Sequence, residues 1–175
     1  MANILRTASV WLKGAAICFA IGLILFIIGF ATTSWIVYRG VDYRNFRNSG
    51  LWSAYICVSN YHCQTYTYGD VNDYHRAIQA MECLGLIGYI LAIILLLLYL
   101  CADSCRRRDV IQATTAVTFA GVLFACIGFA VFGSSSNNEN HLGRGGDIGW
   151  SMAVAITGSI LYGLGGIFLI IQLIR

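Results

Sequence analysis

Two cysteines, Cys57 and Cys63, are separated by Val58-Ser59-Asn60-Tyr61-His62. A hairpin turning at Asn60 would set the two side chains opposite one another, within reach of a disulfide. An oxidising compartment would favour that bond. The alternative chemistry at the same place is a metal centre built from Cys57, His62, Cys63 and His75. That spacing matches no standard zinc pattern, so the bridge is the expectation and no metal is. Two further cysteines, Cys101 and Cys105, stand beside Arg106-Arg107-Arg108. Membrane acyltransferases modify juxtamembrane cysteines in such a setting, so both are candidates for palmitoylation. Cys18, Cys83 and Cys126 fall inside apolar runs and read as apolar fillers. No nucleophile beside a base, no phosphate-cradling loop and no paired carboxylates can be read from the chain. Neither catalysis nor a cofactor is expected.

The elements that carry these residues follow from composition. The 175-residue chain is 58% hydrophobic and only 11% charged. A soluble domain carries about 25% charged residues, so too little polar surface remains here to cover a globule in water. The apolar residues come in blocks, which points to lipid as the solvent. Four blocks, at about residues 14–34, 78–100, 110–132 and 148–174, reach the roughly 20 residues needed to cross a bilayer. Backbone groups in lipid must bond within their own segment, so the four spans are helices, and the chain has no proline to kink them. The first block exceeds the roughly 7–15 residues of a signal-peptide core and reads as an uncleaved anchor. The net charge of +3 implies no nucleic-acid partner.

Basic residues in short loops stay cytoplasmic. Arg106, Arg107 and Arg108 occupy the short loop between the second and third spans; Arg6 and Lys13 precede the first, and Arg175 follows the fourth. Both termini are therefore expected in the cytoplasm, with loops 35–77 and 133–147 outside. Arg39, Arg44, Arg47 and Arg76 lie in the long loop, but long loops translocate largely regardless of charge. This orientation puts Cys57 and Cys63 on the oxidising side.

The long loop holds seven of the ten tyrosines and two of the four tryptophans, too aromatic for a disordered linker. Ser34-Trp35-Ile36-Val37-Tyr38, residues 51–58 and Gln64-Thr65-Tyr66-Thr67-Tyr68 read as strands, the last alternating strictly. Residues 71–76 start a short helix leading into the second span. Glu82, near the outer end of that span, is expected to act at the helix N-terminus, where negative charge is tolerated. In the fourth span Ser159 and Gly163 form a small-xxx-small pair, expected to pack inside the bundle.

Trp35, Gly50-Leu51-Trp52, Cys57 and Cys63, in the first outer loop of a four-span chain, resemble the claudin signature. The wider superfamily shares it: peripheral myelin protein, the epithelial membrane proteins, the lens fibre membrane protein and the calcium-channel gamma subunits. Arg76 resembles the arginine that closes the claudin first loop, and Gly149-Trp150 the pair opening the claudin fourth helix. The resemblance implies one four-span domain over the whole chain: a membrane α-helical bundle carrying a small extracellular antiparallel sheet, with one strand from the second loop. In that fold Trp52 is expected to pack the base of the sheet against the bilayer surface.

Some features depart from the pattern. Four residues, 53–56, separate Trp52 from Cys57 where claudins have two; the added pair preserves strand parity. The gap between the cysteines is shorter than in vertebrate claudins. The second loop, from Ser134-Ser135-Ser136 through residue 140, is polar and expected to be flexible, without an aromatic cluster. The sequence stops at Arg175, and no PDZ-binding tail is expected. The chain resembles a divergent, invertebrate-type claudin-like protein more than a vertebrate claudin.

The function this implies is lateral assembly with itself or other claudin-like proteins at plasma-membrane cell–cell junctions, tight or septate. Such assembly would form or tune a paracellular barrier, and the resemblance allows it to reach across the cell gap. Residues 64–69 carry no charge, which favours a barrier over a selective channel. The alternative is an auxiliary subunit, like a gamma subunit or peripheral myelin protein, that regulates a channel, receptor or adhesion protein. The bilayer is a partner in either case.

Overall fold

The apolar blocks form four helices, α1 (Val10–Ala31), α2 (Asp73–Cys101), α3 (Arg108–Ser136) and α4 (Trp150–Ile174). All four are long and apolar enough to cross a membrane. The computed structural model describes residues 9–39, 46–58, 62–69, 71–102, 105–136 and 146–174. The expected turn at Asn60, Arg6, Arg44 and the stretch 137–140 lie outside these residues. The helices face outward with large aliphatics such as Ile17, Ile24, Leu97, Leu123 and Ile160, and inward with glycines and aromatics. That is the distribution expected when lipid gives no advantage to hiding aliphatic side chains and helices associate through close packing.

The bundle interior is an aromatic column. Phe19 stacks on Tyr162 at 4.8 Å, Tyr162 on Tyr89 at 3.9 Å, and Phe26 meets the Tyr89 ring edge-on at 4.9 Å. Backbones approach closely around it. A Cβ on Gly158 would lie 2.7 Å from the Gly22 carbonyl oxygen, which fixes the α1–α4 crossing; a Cβ on Gly88 would lie 2.9 Å from the Gly121 Cα, which fixes that of α2 and α3. The small-residue contact therefore runs through Gly158. Ser159 is buried, but Gly163 has open space where its Cβ would stand, so the Ser159–Gly163 pair is not the crossing point.

Three helices extend beyond the apolar blocks, α1 by starting at Val10 and α2 and α3 toward the sheet. α2 begins at Asp73, so the short lead-in segment is the first turn of the span itself. The Asn72 side chain caps it by accepting the His75 N–H. α3 continues to Ser136, so the first three residues of the polar second-loop stretch are helical. α2 and α3 have 29 residues each, an axial length of about 43 Å, against a hydrocarbon core of about 30 Å. The surplus carries the sheet. α1 ends sooner, because Thr32 turns extended and leads the chain into the first strand.

Five strands, β1 (Ile36–Arg39), β2 (Phe46–Ser49), β3 (Ser53–Val58), β4 (His62–Thr67) and β5 (Asp147–Ile148), pair in the order β4-β3-β2-β1-β5. All pairings are antiparallel. Three strands match the aromatic and β-branched runs, and β5 supplies the strand from the second loop. β2 has no such signature: Arg47-Asn48-Ser49 has low strand propensity. It is a strand because β1 and β3 bond it on both sides, Tyr38 lying opposite Arg47 and Ile56 opposite it again.

Candidate interaction site: an anchored sheet with one free edge

The sheet is fixed to the bundle where β1 leaves α1. Trp35 is completely buried, packed edge-on against Phe132 at 5.0 Å and tilted on Phe129 at 5.7 Å. Its indole N–H donates to the Gly29 carbonyl at 2.7 Å. Gly29 is in the last turn of α1, whose carbonyls have no helical partner, so the indole satisfies an orphan acceptor while joining the sheet to the helix. Thr32 Oγ1 donates to the Ile28 carbonyl at 2.7 Å in the same turn. Ser151, in the first turn of α4, pins the junction: its hydroxyl accepts the Ser34 N–H at 3.1 Å and lies 2.8 Å from Thr32 Oγ1.

Gly50-Leu51-Trp52 makes the second attachment. A Cβ on Gly50 would stand 2.6 Å from the Thr33 Cα, so only glycine lets the β2–β3 turn pass this close to the end of α1. Leu51 is completely buried. Its carbonyl accepts two hydrogen bonds from α2, from His75 Nε2–H and from Gln79 Nε2, each at 2.9 Å. A carbonyl only accepts, so the contact assigns the His75 hydrogen to Nε2. The indole of Trp52 is 36% exposed and meets Phe30, near the end of α1, at 5.2 Å. The deep anchors are thus Trp35 and Leu51, with Trp52 at the rim.

Cys57 and Cys63 lie directly opposite one another on β3 and β4, with Cα atoms 4.1 Å apart, and form a disulfide. Cys57 is buried and Cys63 exposed, so the bridge ties the outer strand to the sheet interior. His75, the fourth member of the hypothetical metal set, is engaged instead with Leu51, Tyr68 and Phe132. No cluster of metal ligands occurs among the described residues. Arg76 lies in the first turn of α2, 3.9 Å from Asp73 in an exposed i,i+3 pair. Gly149 donates its N–H to the Trp35 carbonyl at 2.8 Å, and Trp150 begins α4 half-exposed. At the other end of the bundle, Cys101 is the exposed last residue of α2 and Cys105 is half-buried in the connection to α3.

β4 is the long free edge of the sheet. All six of its side chains are exposed, and it pairs on one side only, with β3. The opposite edge, β5, has two residues, with Ile148 projecting from it.

Sequence reasoning missed three features. The His75–Gln79 clamp carries a readable signal, an i,i+4 polar pair at the head of a span. The Ser151 pin has none. Glu82 is not at the helix terminus: it is fully buried about two and a half turns into α2, and Asn72 does the capping. Neither carboxyl oxygen has a hydrogen-bond partner among the described residues. Its side chain fills the space beside Gly128, where a Cβ would collide with Oε1.

A four-helix membrane protein with a disulfide-tied sheet anchored by a buried tryptophan defines the class. The model of the PMP-22/EMP/MP20/Claudin family matches residues 8–169, nearly the whole chain, and the chain belongs to that family. A comparison with curated proteins finds no match.

Proposed function

We propose that this protein is a claudin-like junction component that assembles side by side in the plasma membrane and forms or tunes a paracellular barrier. Both termini are then cytoplasmic and the sheet extracellular, with arginines 106–108 on the retained side. The observation that carries the proposal is the β4 edge: a six-residue strand paired with β3 on one side only, exposed along its length, on a sheet anchored to the bundle. An exposed edge is a template for pairing with another chain. Tyr66, half-exposed on that edge, and Trp150 and Ile148 at the opposite rim supply apolar contact area. The protein acts by assembly and performs no chemistry of its own.

The test places like charge on the edge. Thr65→Lys with Tyr66→Lys leaves the anchors untouched and sets positive charge where two copies would meet. Wild-type protein extracted in mild detergent should migrate as oligomers and the variant as monomers, with both reaching the cell surface. Oligomers of unchanged size in the variant would exclude the β4 edge as the assembly surface. An auxiliary subunit, the competing reading, would alter permeability only when its channel or receptor is present.

A further inference from the structure

Between the inner face of the sheet, the head of α2 and the C-terminal end of α3 lies a cleft of about 200 Å³. Its polar lining includes Arg47, Ser49, Tyr68, Asn72 and His75; Phe132 is part of its apolar wall. No acidic residue is among the described residues that line it. Arg47 supplies the fixed positive charge, yet its Nε is buried without a hydrogen-bond partner, and no ion pair among the described residues involves it. Arg47 is half-buried as a whole, but a buried Nε–H left unmatched is costly, and guanidinium is suited to oxyanions that take its hydrogens in pairs.

The neighbours are donors too. Ser49 Oγ and Tyr68 Oη share one hydrogen bond at 2.7 Å, and two hydroxyls so joined keep one hydrogen to donate elsewhere. Asn72 caps the head of α2 beside the cleft, its side chain accepting the His75 N–H, and Asp73 follows in the first turn, so the donors available to a ligand are those of Arg47, Ser49 and Tyr68. Cation and free hydroxyl hydrogen line a space of inorganic-ion or headgroup size, smaller than the roughly 300 Å³ at which drug-sized pockets begin.

We propose that this cleft binds a phosphate group, with Arg47 as the paired cation. The phosphate has two sources, a free oxyanion or the headgroup of a phospholipid, for the cleft lies where the sheet meets the membrane end of the bundle. This site is independent of the assembly proposed above.

The experiment uses the full chain, purified in a phosphate-free glycosidic detergent and stripped of lipid, with thermal unfolding as the readout. Sodium phosphate is titrated at constant ionic strength against chloride; in a parallel arm a short-chain phosphatidylglycerol is titrated against the matching diglyceride. Stabilisation by both probes, or by inorganic phosphate alone, assigns a free oxyanion as sufficient; stabilisation by the phospholipid alone assigns the headgroup. Arg47→Gln should weaken the effective probe roughly tenfold or more, the scale of one lost charge-assisted hydrogen bond. Tyr38→Glu, which sets a carboxylate opposite Arg47 on β1, should abolish the response by supplying an internal partner, and serves should Arg47→Gln not fold. Wild-type protein that responds to neither probe, or an undiminished response in either folded variant, would overturn the proposal.

Discussion

At the scale of single residues, attachment of the sheet rests on Trp35 and the Leu51 carbonyl. Trp35→Ala removes a fully buried indole and leaves the Gly29 carbonyl without its donor. It should cost about 3–5 kcal/mol, the range for large aromatic deletions. Trp52→Ala, at a rim position touching Phe30, should cost clearly less. Thermal unfolding of the two variants in detergent checks the order, and equal losses would contradict it. Leu51 offers a sharper case, because its carbonyl has two donors. Gln79→Ala should be mild, since one donor remains; His75→Ala keeps a donor too but also loses the ring contacts with Tyr68 and Phe132, and should cost more. The double variant leaves the acceptor unpaired and should lose about 1–3 kcal/mol beyond the sum. The cysteine bridge joins opposite residues across a short loop and is worth about 2 kcal/mol on chain-entropy grounds. Serine at Cys57 or Cys63 should hold the protein inside the cell; normal surface delivery of both variants would deny the bridge a structural role.

At the scale of elements, helix crossings depend on glycines whose neighbours could not be read from spacing. Gly158→Val should destabilise by at least about 1–3 kcal/mol, because its Cβ has backbone atoms of α1 in its place. Gly163→Val, with open space around it, should be nearly neutral. Melting temperatures of the two variants decide, and a neutral Gly158→Val would refute the crossing described. The same contrast explains what was legible in the sequence. The four spans were plain because lipid leaves no other solution for blocks this long and apolar. β1, β3 and β4 were legible from their aromatic and β-branched residues. β2 was not, since its place is set by strands on either side. Glu82 misled for a related reason: its distance from the block's edge suggested a terminus, but α2 starts at Asp73, which carries Glu82 down into the bundle. The Trp35, Gly50-Leu51-Trp52 and cysteine pattern marked the site region, whereas the donors to Leu51 come from a helix that only the fold brings near.

At the scale of the whole molecule, the bundle holds a rigid sheet at one membrane face and a short basic connection at the other. If that connection is cytoplasmic, Cys101 and Cys105 beside it should carry fatty acyl chains. An acyl-exchange gel should show a mobility shift for wild type that is lost in the double serine variant; no shift for wild type would refute acylation. In the proposed function, sheets of neighbouring copies assemble and reshape the space between cells. The most direct measurement is transepithelial resistance, with dilution potentials, across a monolayer of cells that lack such proteins, with and without this chain expressed. Expression should change the resistance or ion preference, and Trp35→Ala should remove that change by detaching the sheet. An unchanged resistance and unchanged dilution potentials, with the wild-type protein at the surface, would contradict the proposed function.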